Sequence, residues 1–244
     1  MNFKEKFNSN GYLIKKDFFS PVVIKKICEE IIENNASVSK HLKKLAEIEG
    51  FDHKSFAIEG KNIKYLAGAN SYFKEINKLL TSKVTKYAEE ILDDEVYLDA
   101  IELHQKMKGT THTPPHQDNF YFCLEEGKSL TAYIPLNKQS ESNGALAVIP
   151  KSHLIDFDHH QSDVVGFSSG INKEDLLDFE VDNYELDAGD ISFHHCNIVH
   201  LAPPNLSGEP RTSIALRFKG VSDNICQRKL ERYKKFANQS KRIS

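Results

Sequence analysis

Apolar residues recur with two different periods along the chain, and the change falls near residue 95. A short strand is expected over Gly11–Asp17. Ser20-Pro21 then opens a helix, with serine as cap and proline at the first helical position. Ile24, Ile27, Cys28 and Ile31 follow at helical spacing and mark one buried face. Asn34 to Lys61 is polar and reads as irregular, with a short helical pattern from His41 to Ile48. After Ser71, the stripe Phe73, Ile76, Leu80, Val84, Tyr87, Ala88 and Ile91 predicts a second helical region. From Glu95 the pattern is that of strands: Val96–Leu98, Ala100–Leu103, Leu130–Leu136, Ala145–Ile149, Ile191–Phe193 and Arg211–Phe218. Asn143-Gly144, Ala188-Gly-Asp190 and Ser207-Gly208 supply turns between them. Lys151 to Leu177 is polar and too long for a plain hairpin loop, and is expected to lie over the mouth of a site.

Helices first and then a run of short strands predict a mainly β core with helices packed outside. The chain is expected to form a single domain over 1–244: a helical N-terminal part (1–94), a strand core (95–220) and a basic C-terminal helix (221–244). That last segment holds seven Lys/Arg against two acidic residues. Its thin apolar stripe of Cys226, Leu230, Tyr233 and Ala237 reads as a docked amphipathic helix with a solvated basic face.

Composition narrows the function classes. A hydrophobic fraction of 39% with 15 Phe and 9 Tyr supports a real core in 244 residues. A formal charge of −3 gives no global reason to expect nucleic acid or an anionic membrane surface. The four cysteines are scattered with no C-x-x-C pair, so they read as reduced thiols and the chain as cytoplasmic. No apolar h-region and no run of 18 apolar residues occurs, so neither export nor a membrane span is expected.

The chemistry concentrates in Thr113-Pro-Pro-His116-Gln-Asp118. In a strand, His116 and Asp118 would point to one face. Two such ligands plus a third from elsewhere hold a metal with open positions, and two histidines with one carboxylate suit non-haem Fe(II). His194, His195 and His200 all compete for the third place. Arg211, eleven residues beyond His200, opens a strand and is suited to a bidentate carboxylate clamp, with Ser213 on the same face as a hydroxyl donor.

Taken together, His116-Gln-Asp118, the run Asn143-Gly144-Ala-Leu-Ala-Val-Ile-Pro150-Lys-Ser-His153, Gly189-Asp190, and His200…Pro204-Asn205…Arg211 resemble the phytanoyl-CoA dioxygenase family in order and spacing. Asn10-Gly-Tyr-Leu-Ile…Phe19-Ser-Pro resembles that family's opening, so the similarity runs from about Phe7 to Phe218. The resemblance implies a double-stranded β-helix, a jelly-roll-like core, holding one Fe(II). It implies 2-oxoglutarate as co-substrate, O2 as oxidant, hydroxylation of a C–H bond, and release of succinate and CO2. His116, Asp118 and His200 would be the iron ligands. His200 is favoured over His194 because the family places that ligand eleven residues before the arginine. Arg211 would bind the distal carboxylate of 2-oxoglutarate with help from Ser213. Tyr133 and Gln105 stand where the family has co-substrate contacts. Tyr121 and Phe122 are expected to leave the metal along a strand and wall the substrate pocket. His153 fits the pattern but is read as structural. Two departures stand out: Ala202 replaces a common Ser/Thr, and Phe122 stands where many members have Trp.

An oxygenase acting on a small molecule is therefore expected; by the same resemblance, the presence of Asp118 argues for hydroxylation, or a desaturating or ring-forming variant, rather than halogenation. A zinc- or nickel-loaded protein on the same fold and a pseudoenzyme binding module are the alternatives; a clamp in register with the triad argues against both. The resemblance does not choose among acyl-CoA, amino-acid, phosphonate or sugar-like substrates, although a small polar metabolite is favoured.

Overall fold

The computed structural model describes residues 2–48, 55–162, 164 and 168–240. In chain order the elements are α1 (Phe3–Asn10), β1 (Tyr12–Lys15), α2 (Pro21–Ala46), β2 (Phe56–Glu59), β3 (Asn62–Ala67), α3 (Lys74–Ile76), a π-helical turn (Asn77–Thr81), α4 (Ser82–Leu92) and β4 (Val96–Lys106). They continue with β5 (Thr113–His116), α5 (Asn119–Phe122), β6 (Ser129–Pro135), β7 (Ala147–Val148), β8 (His160–Gln161), β9 (Ser169–Gly170), β10 (Asp182–Asn183), β11 (Ile191–His195), β12 (His200–Ala202), β13 (Arg211–Gly220) and α6 (Gln227–Ser240).

A seven-stranded sheet in the order β1-β11-β6-β13-β4-β3-β2 faces a four-stranded sheet in the order β10-β7-β12-β5. Every pairing is antiparallel. This is the expected jelly-roll-like β-helix with flanking helices.

The period-two pattern assigns each face of the large sheet. Ile101 and Leu103 of β4, Ala132 and Ile134 of β6, Phe193 of β11, and Ile214, Leu216 and Phe218 of β13 share one buried cluster with Ile24, Ile27, Ile76, Leu80, Val84 and Ala88. That face carries the helices. The opposite face bears Lys106, Thr131, Tyr133, His194, Arg211 and Ser213, which are buried although polar or amphipathic. It looks into the space between the sheets. β6 is buried at all seven positions, as a central strand covered on both sides must be.

The N-terminal third is less purely helical than its pattern suggests. It contributes β1, β2 and β3 to the large sheet. α2 also runs unbroken to Ala46, through the stretch read as irregular, because Val38 and Leu42 continue its buried stripe. Residues 49–54 of that stretch lie outside the described residues. Val96–Leu98 and Ala100–Leu103 form one strand, β4, which is paired with β13 along its length.

Two tight approaches set the loops at either end. Gly189 has φ +99°, and a Cβ there would lie 2.5 Å from the Phe19 carbonyl oxygen, so only glycine fits. The adjacent Asp190 is 2% exposed. It accepts from the backbone N–H groups of Asp17 at 3.0 Å and Asp187 at 2.8 Å, and from Lys16 Nζ at 2.8 Å. It thereby ties the end of β1 to the turn before β11.

Candidate metal and co-substrate site

His116 and His200 are direct cross-strand partners on β5 and β12, which places both rings on one face of the small sheet with centroids 4.2 Å apart. Each ring is fixed by its own backbone. Nδ1 of His116 donates to the Pro114 carbonyl at 2.8 Å, and Nδ1 of His200 to the Ile198 carbonyl at 3.2 Å. A carbonyl can only accept, so each Nδ1 carries a proton and Nε2 is the nitrogen left to bind a metal. Asp118 Oδ1 lies 3.7 Å from His116 Nε2 and 3.8 Å from His200 Nε2. One ligand atom from each residue falls within 4.8 Å of the others.

Asp118 arrives there by a route other than strand alternation. β5 ends at His116, and Asp118 is the first residue of a helical turn, with φ −58° and ψ −35°. Gln117 makes the corner. Its amide donates to the carbonyls of Asn197 at 2.5 Å and Ile155 at 2.8 Å, its side-chain oxygen accepts from Phe157 N at 3.3 Å, and its own N–H donates to His159 Nε2 at 3.1 Å. Thr131 of the large sheet donates to Asp118 Oδ2 at 3.3 Å. Burial alone would raise the Asp118 carboxyl pKa, but His200, His116, His194 and Arg217 outweigh it and hold the group below the usual range. Burial, with His200 adding, pushes His116 down to about 4, so the ring is neutral at pH 7 and able to bind metal.

His194 stands behind His200 at 5.0 Å between ring centroids, on the large sheet opposite Thr131. It is outside the set of three, and its Nδ1 has no partner among the described residues. His195 turns instead toward Phe7 and His153. His153 donates to or accepts from no ligand residue and sits at the Asn8 carbonyl, 3.0 Å away, as a structural contact.

Deeper between the sheets lies Arg211, 7% exposed, with Nε and Nη1 lacking any partner among the described residues. Its guanidinium carbon is 5.9 Å from the centre of the Tyr133 ring. Ser213, two positions along β13, is fully buried with its Oγ also without a partner there. Buried donors of this strength are rarely left unmade, and two of them aimed into one chamber call for an acceptor that the chain itself does not supply. Tyr133 is one strand repeat, about 7 Å, from Thr131 and hence from the Asp118 end. The space between the sheets therefore has the His116–Asp118–His200 cluster at one end and, at the other, a guanidinium with two nitrogens unpartnered among the described residues.

Not every expected contact falls in place. Gln105 pairs with Thr212, whereas Arg211 pairs with Lys106. The register is regular here, so Gln105 projects to the helix-bearing face and away from the chamber. The Tyr133 hydroxyl is committed to Gln139 Oε1 at 2.5 Å, so only its ring meets the guanidinium. Tyr121 and Phe122 lie on one turn of helix, α5, and not on a strand. Successive helical side chains fan apart, so the two rings reach different walls. Tyr121 packs edge-on to His116 at 6.3 Å and meets Ser169 Oγ at 2.5 Å. Phe122 lies against Arg217 and Lys219, at 4.7 and 4.9 Å. α6 covers the back of this turn, with Tyr233 and Phe236 edge-on to Phe120.

The inner face next to the metal end is polar. Glu102 accepts from Tyr65 at 3.1 Å, from Arg217 Nη1 at 3.3 Å and lies 3.2 Å from His104 Nε2. Arg217 Nε also donates to Asp99 at 2.7 Å. Gln117, Thr131, Lys106 and this network are functional candidates that residue type alone did not single out. The signal for Arg217 was its shared parity with Arg211 on one strand.

A β-helix with a His-X-Asp…His site between its sheets and a buried arginine facing it is the architecture of iron- and 2-oxoglutarate-dependent oxygenases. The phytanoyl-CoA dioxygenase family profile matches residues 7–213, and the chain belongs to that family. A probable alpha-ketoglutarate-dependent hypophosphite dioxygenase of Stutzerimonas stutzeri is 24% identical over 216 residues, 84% of this chain and 73% of that protein. Among solved structures, EctD from S. alaskensis with bound Fe has a TM-score of 0.68 at 19% identity, covering 91% of this chain and 77% of its own. The carbocyclase SnoK from nogalamycin biosynthesis, a non-heme alpha ketoglutarate dependent enzyme, has a TM-score of 0.67 at 20% identity, covering 91% and 84%. These likenesses establish the fold. No helix among the described residues is long and apolar enough to cross a membrane.

Proposed function

We propose that the protein is an Fe(II)- and 2-oxoglutarate-dependent hydroxylase of a small polar molecule. The observation that carries this reading is the pairing of the triad with Arg211 and Ser213, buried between the same two sheets and with donors unpartnered among the described residues. A metal-only protein has no use for the second feature.

The donor set fits Fe(II): two imidazoles and one carboxylate would leave the remaining positions open. His116, Asp118 and His200 would hold the iron, and Arg211 with Ser213 would hold the distal carboxylate of 2-oxoglutarate, the Tyr133 ring packing beside it. Bound iron and 2-oxoglutarate supply O2-dependent C–H hydroxylation, with succinate and CO2 released. The chain's own part is positioning and exclusion of water. Thr131 and the two imidazoles orient the Asp118 carboxylate. Tyr121 would border the substrate space on the His116 side and Phe122 on the Arg217 side.

The substrate class follows from the wall beyond the metal. Glu102, His104, Tyr65 and Arg217 form a hydrogen-bonded polar surface there. An aliphatic acyl chain laid on it would leave those groups desolvated without new partners, at a cost of about 1–3 kcal/mol each. A small substrate with hydrogen-bonding groups replaces the water they lose. The test is succinate release by the iron-loaded protein over a panel of small oxyanions, amino acids and acyl-CoA thioesters. Stimulation by a small polar compound is expected. Stimulation by acyl-CoA thioesters alone would contradict the assignment.

A further inference from the structure

A separate cleft of about 290 Å³ lies between the 153–159 loop, the turn that carries Phe120 and the N-terminal half of α6. None of the residues assigned above to iron or 2-oxoglutarate lines it. Its volume is close to the lower end for small-molecule sites, roughly 300 Å³.

The charge of the cleft comes from α6. Arg228, Lys229 and Arg232 all line it, and Asp156 is the one acid among the lining residues. Arg228 and Arg232 are four residues apart on one helix face, where like charges repel. Arg228 has no hydrogen bond or ion pair among the described residues. Arg232 Nη1 meets Asp156 at 3.4 Å in an exposed pair, and its Nη2 donates to the Phe157 carbonyl at 3.3 Å. Lys229 donates to the carbonyls of Leu124 at 2.6 Å and Glu125 at 3.2 Å, which occupy its protons without neutralising its charge. Three cations are thus gathered against one carboxylate, in a chain whose formal charge is −3. An anion from outside would relieve that local excess.

The remaining wall is apolar and firm. Leu154 is 72% exposed and Ile155 41%, and both line the cleft. Phe120 stacks on His159 with centroids 4.2 Å apart and planes 11° from parallel, and the Arg232 guanidinium stands 5.6 Å from the Phe120 ring centre. Gln117, 4% exposed, pins the loop by its bonds to Ile155 and Phe157, while its N–H donates to His159. Walls held in this way cost little to order when a ligand arrives.

We propose that this cleft is a second ligand site, for a small organic anion. Arg228 and Arg232 hold its carboxylate or phosphate group, and Lys229 adds charge. Its apolar body lies against Phe120, Leu154 and Ile155. A planar guanidinium takes either head group through two parallel hydrogen bonds. The apolar body removes the exposed leucine and isoleucine surface from water. The site stands whether or not iron and 2-oxoglutarate bind between the sheets, because it shares no side chain with theirs.

The test is calorimetry of the full chain at low salt with phenyl phosphate, benzoate, inorganic phosphate and phenol. Phenyl phosphate or benzoate should bind one to one, at least about tenfold tighter than inorganic phosphate or phenol, and more weakly as salt is raised. The tighter of the two identifies the head group. Arg228→Ala and Arg232→Ala should each raise Kd about tenfold, the effect of losing a hydrogen bond to a charged group. Lys235→Ala, exposed on the same helix but outside the cleft, should leave Kd unchanged. Leu154→Ser should weaken the aromatic anion and not inorganic phosphate. Failure of both aromatic anions to bind would overturn the proposal, as would phenol binding equally well. Inorganic phosphate binding as tightly as phenyl phosphate and benzoate would reduce the cleft to a site for adventitious ions only. A Kd unmoved by either arginine substitution, or moved as far by Lys235→Ala, would show general attraction to a basic helix and would also overturn it.

Discussion

At the scale of single residues, the site depends on which atom each side chain has left to offer. His116 and His200 are held at Nδ1 by carbonyls two residues behind them, so both turn Nε2 toward Asp118. His194 is as buried as His200 but stands outside that set. His200→Ala should therefore weaken Fe(II) binding by well over 100-fold, whereas His194→Ala should change it by about tenfold or less, as expected for a neighbour of a ligand. Metal content after gel filtration distinguishes them, and the reverse order would exchange their roles. Arg211→Ala should leave iron in place and weaken 2-oxoglutarate binding by about 100-fold, the cost of removing one partner of a buried charge pair. Unchanged 2-oxoglutarate affinity would remove Arg211 from the site. Much of this chemistry is legible in the chain because it needs particular side chains: no other types replace the His116-Asp118 pair or the arginine fork. The miss at Gln105 is one of parity. Which face a residue takes depends on the pairing of β4 with β13, and the residue letters carry no record that Lys106, not Gln105, lies opposite Arg211. In sequence, Lys106 is one lysine among many; only the register and its burial set it apart.

At the scale of elements, short segments carry the site and long ones hold them. The strands β5 and β12, which carry His116 and His200, have four and three residues, too few for a periodic signal, and neither stood among the strands expected from apolar alternation. β4, β6 and β13 were visible because alternation persists along them. α5 shows the opposite failure. Asn119-Phe-Tyr-Phe122 is aromatic enough to suggest a strand, but Asn119 takes the Leu124 N–H at 2.8 Å and gives its amide to the Leu124 carbonyl at 3.2 Å, which closes the segment into a turn. Asp190 is the comparable device on the other side. Burial alone would raise its carboxyl pKa, but Lys16 and the N–H groups of Asp187 and Asp17 hold it below the usual range. A carboxyl with a depressed folded pKa contributes its full stabilisation above the unfolded value near 4 and loses it as pH falls through the lower folded value. Asp190→Asn should therefore cost about 1–3 kcal/mol at pH 6 and progressively less toward pH 3. Denaturant melts of both proteins across that range check it. A difference that does not shrink on acidification would show that the charge of Asp190 is not what ties β1 to the turn.

At the scale of the whole molecule, the two ends of the chamber belong to different sheets. His116 and His200 are on the small sheet, with Asp118 in the turn that follows it, and Arg211 and Ser213 are on the large sheet. A co-substrate held at both ends joins the sheets through its own body, in addition to Thr131 and Lys106, which already reach across. Metal alone engages one side only. Fe(II) with 2-oxoglutarate should therefore raise Tm by more than Fe(II) alone. At a hundredfold excess over Kd the further rise is roughly 5–10 °C for a chain of this size, and a chelator should abolish it. An equal shift with and without 2-oxoglutarate would mean that the keto acid does not bridge the sheets. The most direct measurement of the central claim is an anaerobic titration of the Fe(II)-loaded protein with 2-oxoglutarate, read by the weak visible charge-transfer absorption of the iron–keto-acid chelate. The account predicts a saturable band in the wild type, no band in Asp118→Ala, and a band in Arg211→Ala only at far higher 2-oxoglutarate. Iron that binds tightly but gives no band at any 2-oxoglutarate concentration would contradict it.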